Sequence, residues 1–424
     1  MNILLLGGGG REHALAWKLS QSRLTDSLYI MPGNPGTQHH GETLEGNPLD
    51  FDRVKDVVLS HNITMVVVGP EEPLVRGIHD FFLGDPQLAG VQVVGPQAAG
   101  ARLEGSKAFA KEFMVRHGIP TAVYKVFAEG EVEAAEKFLS LLTPPYVLKA
   151  DGLAAGKGVL IHTDYAEACR DVSEILQGDR FGEAGKKLVI EEFLSGIEAS
   201  VFVLTDGDHY LLLPEAKDYK RIGEGDTGPN TGGMGSLSPV PFFNDALRMK
   251  VVKKIIEPTI QGLRHEGIPY SGFIFFGLMV VNGDPYVIEY NVRMGDPEAE
   301  SVIPRLSNDL AELMSSLGNK TLDRHDVKVD PRCAATVMMV SEGYPGDYTK
   351  GHSITLPDDT GDALIFHAGT KAHQGSLVTN GGRVLAVTSM GQTLPDALSQ
   401  SFQLANKIDF RGCYYRKDLG FDLF

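Results

Sequence analysis

The 424-residue sequence predicts an α/β protein in three parts. These are an N-terminal parallel sheet with helices (1–103), a middle domain with a small lid subdomain (104–326, lid about 121–192) and a small C-terminal α/β domain (327–424). Three observations carry this. Short apolar runs at 2–6, 27–31, 66–68 and 91–94 alternate with helical stretches, which is the pattern of a parallel sheet. Two apolar strands at 146–148 and from Val159 enclose a loop rich in glycine and lysine. Strand-like segments at 333–340, 363–367 and 382–388 precede an amphipathic helix at 394–405. A chain of this length exceeds one ordinary core, so several domains are expected.

Composition narrows the class. Hydrophobic residues make up 42% and charged residues 22%, as in soluble globular proteins. The net charge of −16 argues against a nucleic-acid surface. Cys169, Cys333 and Cys413 have neither zinc spacing nor a disulfide framework, which fits a reducing cytoplasm. No run of 18 apolar residues occurs, so neither a membrane span nor an export signal is expected.

The first apolar run meets Gly7-Gly8-Gly9-Gly10-Arg11-Glu12-His13 and then a helical stretch. Strand, glycine turn and helix place backbone N–H groups where a phosphate can bind. The dinucleotide fingerprint Gly-x-Gly-x-x-Gly fails, because its third glycine falls at Glu12 or His13. The second strand ends in Met31-Pro32-Gly33-Asn34, with no acid for an NAD ribose. A smaller phosphate on the glycine amides and Arg11 remains open, beside the plainer reading of a surface arginine. The turns at Gly33-Asn34 and Gly69-Pro70-Glu71 share the same sheet edge.

In the middle part, Ser106 is a natural N-cap for a helix beginning at Lys107, with Phe109, Phe113 and Met114 on its apolar face. The run 146–159 reads Tyr-Val-Leu-Lys-Ala-Asp-Gly-Leu-Ala-Ala-Gly-Lys-Gly-Val. Lys149 and Lys157 flank glycines Gly152, Gly156 and Gly158, so bare backbone amides and ammonium groups can meet an anion. It is not a Walker A motif: three residues separate Gly152 from Gly156, and Gly158 stands where Ser or Thr belongs. A hairpin turn with two solvated lysines is the bland alternative.

Strand 188–194 is expected to be continued in the same sheet by 201–204. The segment 226–235, Asp-Thr-Gly-Pro-Asn-Thr-Gly-Gly-Met-Gly, reads as a functional loop rather than a packed element. Further on, strands 277–281 and 285–291 flank an Asn282-Gly283-Asp284 turn. Glu289 and Asn291 lie two apart and so share a face with Arg293. Their oxygens suit Mg²⁺ or Mn²⁺.

The lysine-bearing strand and glycine-rich hairpin resemble the nucleotide cover of the ATP-grasp enzymes. The run at 149–159 and the complete 226–235 segment resemble the phosphoribosylamine–glycine ligase family across essentially the whole chain. That resemblance implies a pre-ATP-grasp domain followed by an ATP-grasp domain, and an ATP-dependent carbon–nitrogen ligase of purine biosynthesis. It would join 5-phosphoribosylamine and glycine through a glycyl phosphate, with ATP and Mg²⁺ or Mn²⁺ as cofactors. A cytoplasmic monomer or weak dimer is expected, with small-molecule partners only.

Residue by residue, the resemblance puts Lys107 and Lys149 on the ATP phosphates, with Gly152, Gly156, Lys157 and Gly158 as the lid. Glu191 and the backbone of Phe193 and Leu194 would meet adenine, and Glu198 the ribose hydroxyls. Gly9, Gly10, Arg11, Glu12, Asn34 and Glu71 would hold phosphoribosylamine. Glu289 and Asn291 would hold the metal. Arg293 would meet the glycine carboxylate or acyl phosphate, and Asp218 is a second catalytic candidate. Asp296 and Glu298 would orient Arg293, hold the amine or cap the next helix. Three positions depart from the family: Lys217 and Tyr219 stand where glutamine and histidine are common, and Glu300 where glutamine is common. An ATP-grasp carboxylase acting on bicarbonate and a non-catalytic nucleotide-binding regulator are the competing readings.

Overall fold

Strand Asn2–Gly7 sits at the centre of a five-stranded sheet ordered Glu42–Thr43, Ser27–Pro32, Asn2–Gly7, Met65–Val68, Gln92–Val94. Every pairing in it is parallel. The computed structural model describes residues 1–153, 158–178, 180 and 182–424. Alternate side chains of the first strand enter different cores: Leu4 and Leu6 pack in one, Ile3 and Leu5 in another. Burial on both faces is why this strand reads as a continuous apolar run. The two-residue strand Glu42–Thr43 carries too little pattern to be read from sequence.

Helix Lys107–Arg116 leads from this domain into the lid, and Ser106 caps it by accepting from Phe109 N at 3.1 Å. The lid sheet is antiparallel, ordered Tyr124–Ala128, Lys187–Glu192, Tyr146–Ala150, Val159–His162. Strand Ile197–Thr205 does not continue that sheet, contrary to the sequence expectation. It pairs with Gly272–Val281 in a second sheet that also holds Tyr210–Leu212 and Asp284–Asn291. The non-helical residues 193–196 between the two strands let the chain change sheets. The hairpin Gly272–Val281/Asp284–Asn291 turns on Asn282 and Gly283, both at positive φ (52° and 79°), as a two-residue hairpin loop requires.

The segment expected to be a loop is partly ordered into strands. Arg221–Gly223 and Thr227–Asn230 form a small hairpin. Lys217–Asp218 and Gly235–Ser238 join Cys333–Val340, Arg383–Gly391 and Leu364–His367 in a five-stranded sheet. Helix Leu394–Ala405 packs on this sheet through Leu394, Ala397, Leu398, Leu404 and Ala405. The C-terminal sheet therefore reaches back across the expected boundary near residue 327. No helix among the described residues is long and apolar enough to cross a membrane.

Candidate active site

A cavity of about 880 Å³ lies where the three parts meet. The side expected to take a nucleotide is built by local geometry. Lys149 is the penultimate residue of strand Tyr146–Ala150 and is almost fully buried. Its Nζ lies 3.0 Å from Glu191 Oε1 and 3.2 Å from the Ile288 carbonyl. Ile288 is the extra residue of a bulge, since Gly277 faces Glu289 while Leu278 faces Val287. Lys107 Nζ donates to Gly152 O at 2.8 Å. Asp151 accepts from Ser106 Oγ (3.2 Å) and Ala108 N (3.1 Å), so the base of the lid hairpin is fastened to the helix that carries Lys107. Gly158 also lies on the wall. Gly156 and Lys157 lie outside the described residues.

Glu191, expected at adenine, lines the cavity. Its two oxygens hold two lysines, Lys149 and Lys111, the latter at 2.9 Å. Burial pushes this carboxyl up, but the two lysines outweigh it and hold it below the usual carboxylate range. Burial also lowers the Lys107 ammonium, and neighbouring Lys149 adds to the effect. Phe193 and Leu194 line the cavity, with Phe193 exposed. Glu198 pairs with Lys220 at 3.0 Å.

Glu289, Asn291 and Arg293 all face the cavity, as their spacing predicts. Burial raises the Glu289 carboxyl, but Lys220, Lys149 and Lys107 more than offset this and keep it ionised. An ionised carboxylate beside a carboxamide oxygen fits a hard divalent cation. Among the described residues no group of three His, Cys, Asp or Glu side chains is arranged to hold a metal. Such an ion would therefore need oxygens from substrate or water as well.

Arg293 is clamped between two acids. Its Nη2 donates to Glu104 Oε1 at 2.7 Å, and its Nε stands 3.4 Å from Glu71 Oε2. Burial, with a contribution from Glu71, pushes Glu104 up to about 7 although Arg293 opposes it. Glu71 is held below its usual range because Arg293 and Arg11 outweigh its burial. Glu104 was missed from the sequence, where it is one acid on a short helix, Ala98–Gly105. Only the tertiary contact reveals it.

Asp218 and Glu298 both line the cavity. Burial raises both, each is raised further by neighbouring carboxylates, and Glu298 reaches about 7. Glu298 Oε1 accepts from Ser200 Oγ at 3.0 Å. Asp296 pairs with Arg383 of the C-terminal sheet at 3.0 Å. Glu300 is fully buried, and burial and Asp296 push its carboxyl well above the usual range.

The N-terminal loop differs most from expectation. Arg11 lines the cavity, but its Nε is bound to Glu12 Oε1 at 2.6 Å. Glu12 caps the glycine turn instead of facing the cavity, accepting from Gly9 N at 2.7 Å. Gly7, at φ +120°, and Gly69 leave room for that carboxylate: a Cβ on Gly7 would meet Glu12 Cγ at 2.5 Å, and one on Gly69 would overlap its carboxylate. Gly9, Gly10, Glu12 and Asn34 do not line the cavity. Asn34, expected at the substrate, is engaged in the fold. Its Nδ2 donates to Gly8 O (2.9 Å) and His367 O (2.8 Å), and its Oδ1 accepts from Gly36 N (2.9 Å) and Thr37 N (3.1 Å).

Family models match in three consecutive blocks: "Phosphoribosylglycinamide synthetase, N domain" over 1–104, its "ATP-grasp (A) domain" over 105–299 and its "C domain" over 334–422. The chain belongs to the phosphoribosylglycinamide synthetase family. Phosphoribosylamine–glycine ligases of Pseudomonas aeruginosa and Escherichia coli (strain K12) are each 44% identical to it, covering 99% of this chain and 98% of theirs. The crystal structure of a phosphoribosylamine–glycine ligase from Thermotoga maritima aligns at a TM-score of 0.86 and 36% identity, over 99% of this chain and 100% of that one. A biotin carboxylase from Campylobacter jejuni aligns at 0.74 and 14% identity, over 99% and 94% of the two chains, which shows a shared fold. In this synthetase-family chain the cavity is lined from all three matched blocks, by Arg11 of the first, Lys107 and Lys149 of the second and Arg383 of the third.

Proposed function

We propose that the chain ligates 5-phosphoribosylamine and glycine to glycinamide ribonucleotide in purine biosynthesis, converting ATP to ADP and phosphate. The observation that carries this reading is one cavity. Lys107, Lys149, Glu289, Asn291 and Arg293 converge on it from separate elements, in a chain whose full-length relatives bear that activity as their name.

In the first step a glycine carboxylate oxygen attacks the γ-phosphorus of ATP, the bond to the β-phosphate oxygen breaks, and glycyl phosphate and ADP form. In the second, the amine of phosphoribosylamine attacks the acyl carbon, its proton passes to a carboxylate or to the departing phosphate, and the C–O bond to phosphate breaks. Phosphoryl transfer asks mainly for positioning and charge neutralisation, which explains lysines and an arginine where a nucleophilic side chain is absent from the scheme. Lys107 and Lys149 are suited to the ATP phosphates, and residues 193–194 and Glu198 to the nucleoside. Arg293 is suited to the glycine carboxylate, and Arg11 and Glu71 to phosphoribosylamine. Glu289 and Asn291 would hold Mg²⁺ or Mn²⁺, which would offset charge on the phosphates. We read the compartment as the cytoplasm, which three free thiols suit, and the assembly as a monomer or weak dimer.

The test is ADP formation by the purified chain with Mg-ATP, glycine and freshly generated phosphoribosylamine, each omitted in turn. Release that requires both substrates, with the amide detected, is the expected result. ADP release that depends on bicarbonate instead would replace the reading with a carboxylase. ATP binding without turnover on any acceptor would leave a regulator.

A further inference from the structure

The two departures at 217 and 219 meet at one residue. Lys217 Nζ lies 3.1 Å from Asp422 Oδ2, and Tyr219 Oη donates to Asp422 Oδ1 at 2.9 Å. The tail that carries Asp422 is knit to the same segment elsewhere. Tyr219 Oη accepts from Gly420 N at 2.9 Å, and Arg416 Nη1 donates to Asp226 at 2.6 Å. Asp418 accepts from Gly225 N at 2.7 Å. Lys217 and Tyr219 are almost fully buried, so their polar ends depend on the partners found inside the protein.

Between them stands Asp218, on the cavity wall with Lys217, Tyr219 and Asp422. Side chains along an extended segment alternate, so fixing 217 and 219 fixes the side toward which 218 points. Asp218 has Lys220, Glu198 and Glu289 as its electrostatic neighbours, the groups beside the expected phosphoryl-transfer centre. Resting on the function proposed above, we infer that Asp422 is a positioning residue for the ligation: it clamps Lys217 and Tyr219 and so holds Asp218 against the Lys220–Glu198–Glu289 group. The C-terminal tail thereby contributes to the reaction through Asp218. The lysine, tyrosine and aspartate form one unit.

Steady-state kinetics on Asp422→Ala, Asp422→Asn and the double variant Lys217→Gln/Asp422→Asn test this, with the parent enzyme and thermal unfolding run in parallel. Asp422→Ala is expected to lower kcat about tenfold with the KM for ATP within about twofold, the signature of lost orientation rather than lost binding. Asp422→Asn keeps an acceptor for Tyr219 and should lose about threefold, and the double variant, with no unpaired buried ammonium, should recover most of that loss. Parental kcat in Asp422→Ala would overturn the assignment. So would a double variant no better than Asp422→Asn, or a loss of kcat that follows loss of folded protein in all three. A parent that does not turn over with both substrates would remove the proposed reaction and this role with it. A parent that turns over beside an equally active Asp422→Ala removes the role alone.

Discussion

Glu191 Oε1 stands 3.0 Å from Lys149 Nζ, a contact between neighbouring strands of the lid sheet in which both side chains are almost fully buried. The same carboxylate holds Lys111 with its other oxygen. Replacing it with glutamine leaves two buried ammonium groups without a counter-charge. Glu191→Gln should therefore raise the KM for ATP about tenfold or more and lower stability by about 3 kcal/mol, the range for breaking a buried ion pair. Nucleotide titration and urea unfolding measure the two effects. Unchanged ATP affinity would mean that Lys149 keeps its place without Glu191.

A pH profile follows from the Glu104–Arg293 contact. Glu104 is raised to about 7, so its ionised form, which accepts from Arg293, is filled only above that pH. The rate should fall as pH drops from about 8 to about 6, and Glu104→Gln should flatten that limb because its amide no longer titrates. Stability carries the opposite sign. Between the ordinary carboxyl value and about 7 the folded state binds the extra proton, so Glu104 makes stability fall as pH rises through that window. Unfolding of parent and Glu104→Gln at pH 5 and pH 8 checks this. A parental slope retained in the variant would assign the titration elsewhere, with Glu298, also raised to about 7, as the next group to replace.

Asn34 joins the glycine loop to the C-terminal sheet through its bonds to Gly8 O and His367 O, and braces its own turn by accepting from Gly36 N and Thr37 N. Asn34→Ala should reduce stability by about 2–4 kcal/mol while the KM for each substrate stays within about twofold. The measurement is denaturant unfolding beside steady-state kinetics. A selective rise in the KM for phosphoribosylamine at unchanged stability would return Asn34 to the substrate.

Glu289→Gln removes the ionised oxygen from the proposed cation site. Turnover should drop by about a thousandfold, or need far more Mg²⁺ or Mn²⁺ to recover, since neutralised phosphate charge is central to phosphoryl transfer. Chelation by EDTA should abolish parental activity, with added cation restoring it. Full activity of the variant at parental metal concentration would exclude Glu289 as a ligand.

Much of this fold was legible because the signals are local. Burial on both faces gives the run at 2–6, and Asn282-Gly283 gives the hairpin that presents Glu289 and Asn291. Ser106 caps its helix as its residue type suggests. What stayed hidden depends on distant partners. Nothing in the spacing of Glu104 announces Arg293, 189 residues away. Strand 197–205 looks like a continuation of 187–192 until the chain changes sheets at 193–196. Asn34 and Glu12 have the residue types of a binding loop, yet their polar atoms are claimed by neighbouring backbone and Arg11. Sequence pattern reports which groups gather near a sheet edge, while only the folded contacts decide which of them remain open to a ligand.

The C-terminal sheet borrows strands Lys217–Asp218 and Gly235–Ser238 from far upstream. A chain severed just before residue 333 would leave three of its five strands, with Cys333–Val340 as a raw edge open to pairing with other chains. The third module is therefore not a portable unit. Gene fusion or swapping at that seam must carry the glycine-rich segment along, and grafts that cut between them should yield insoluble halves rather than two working pieces.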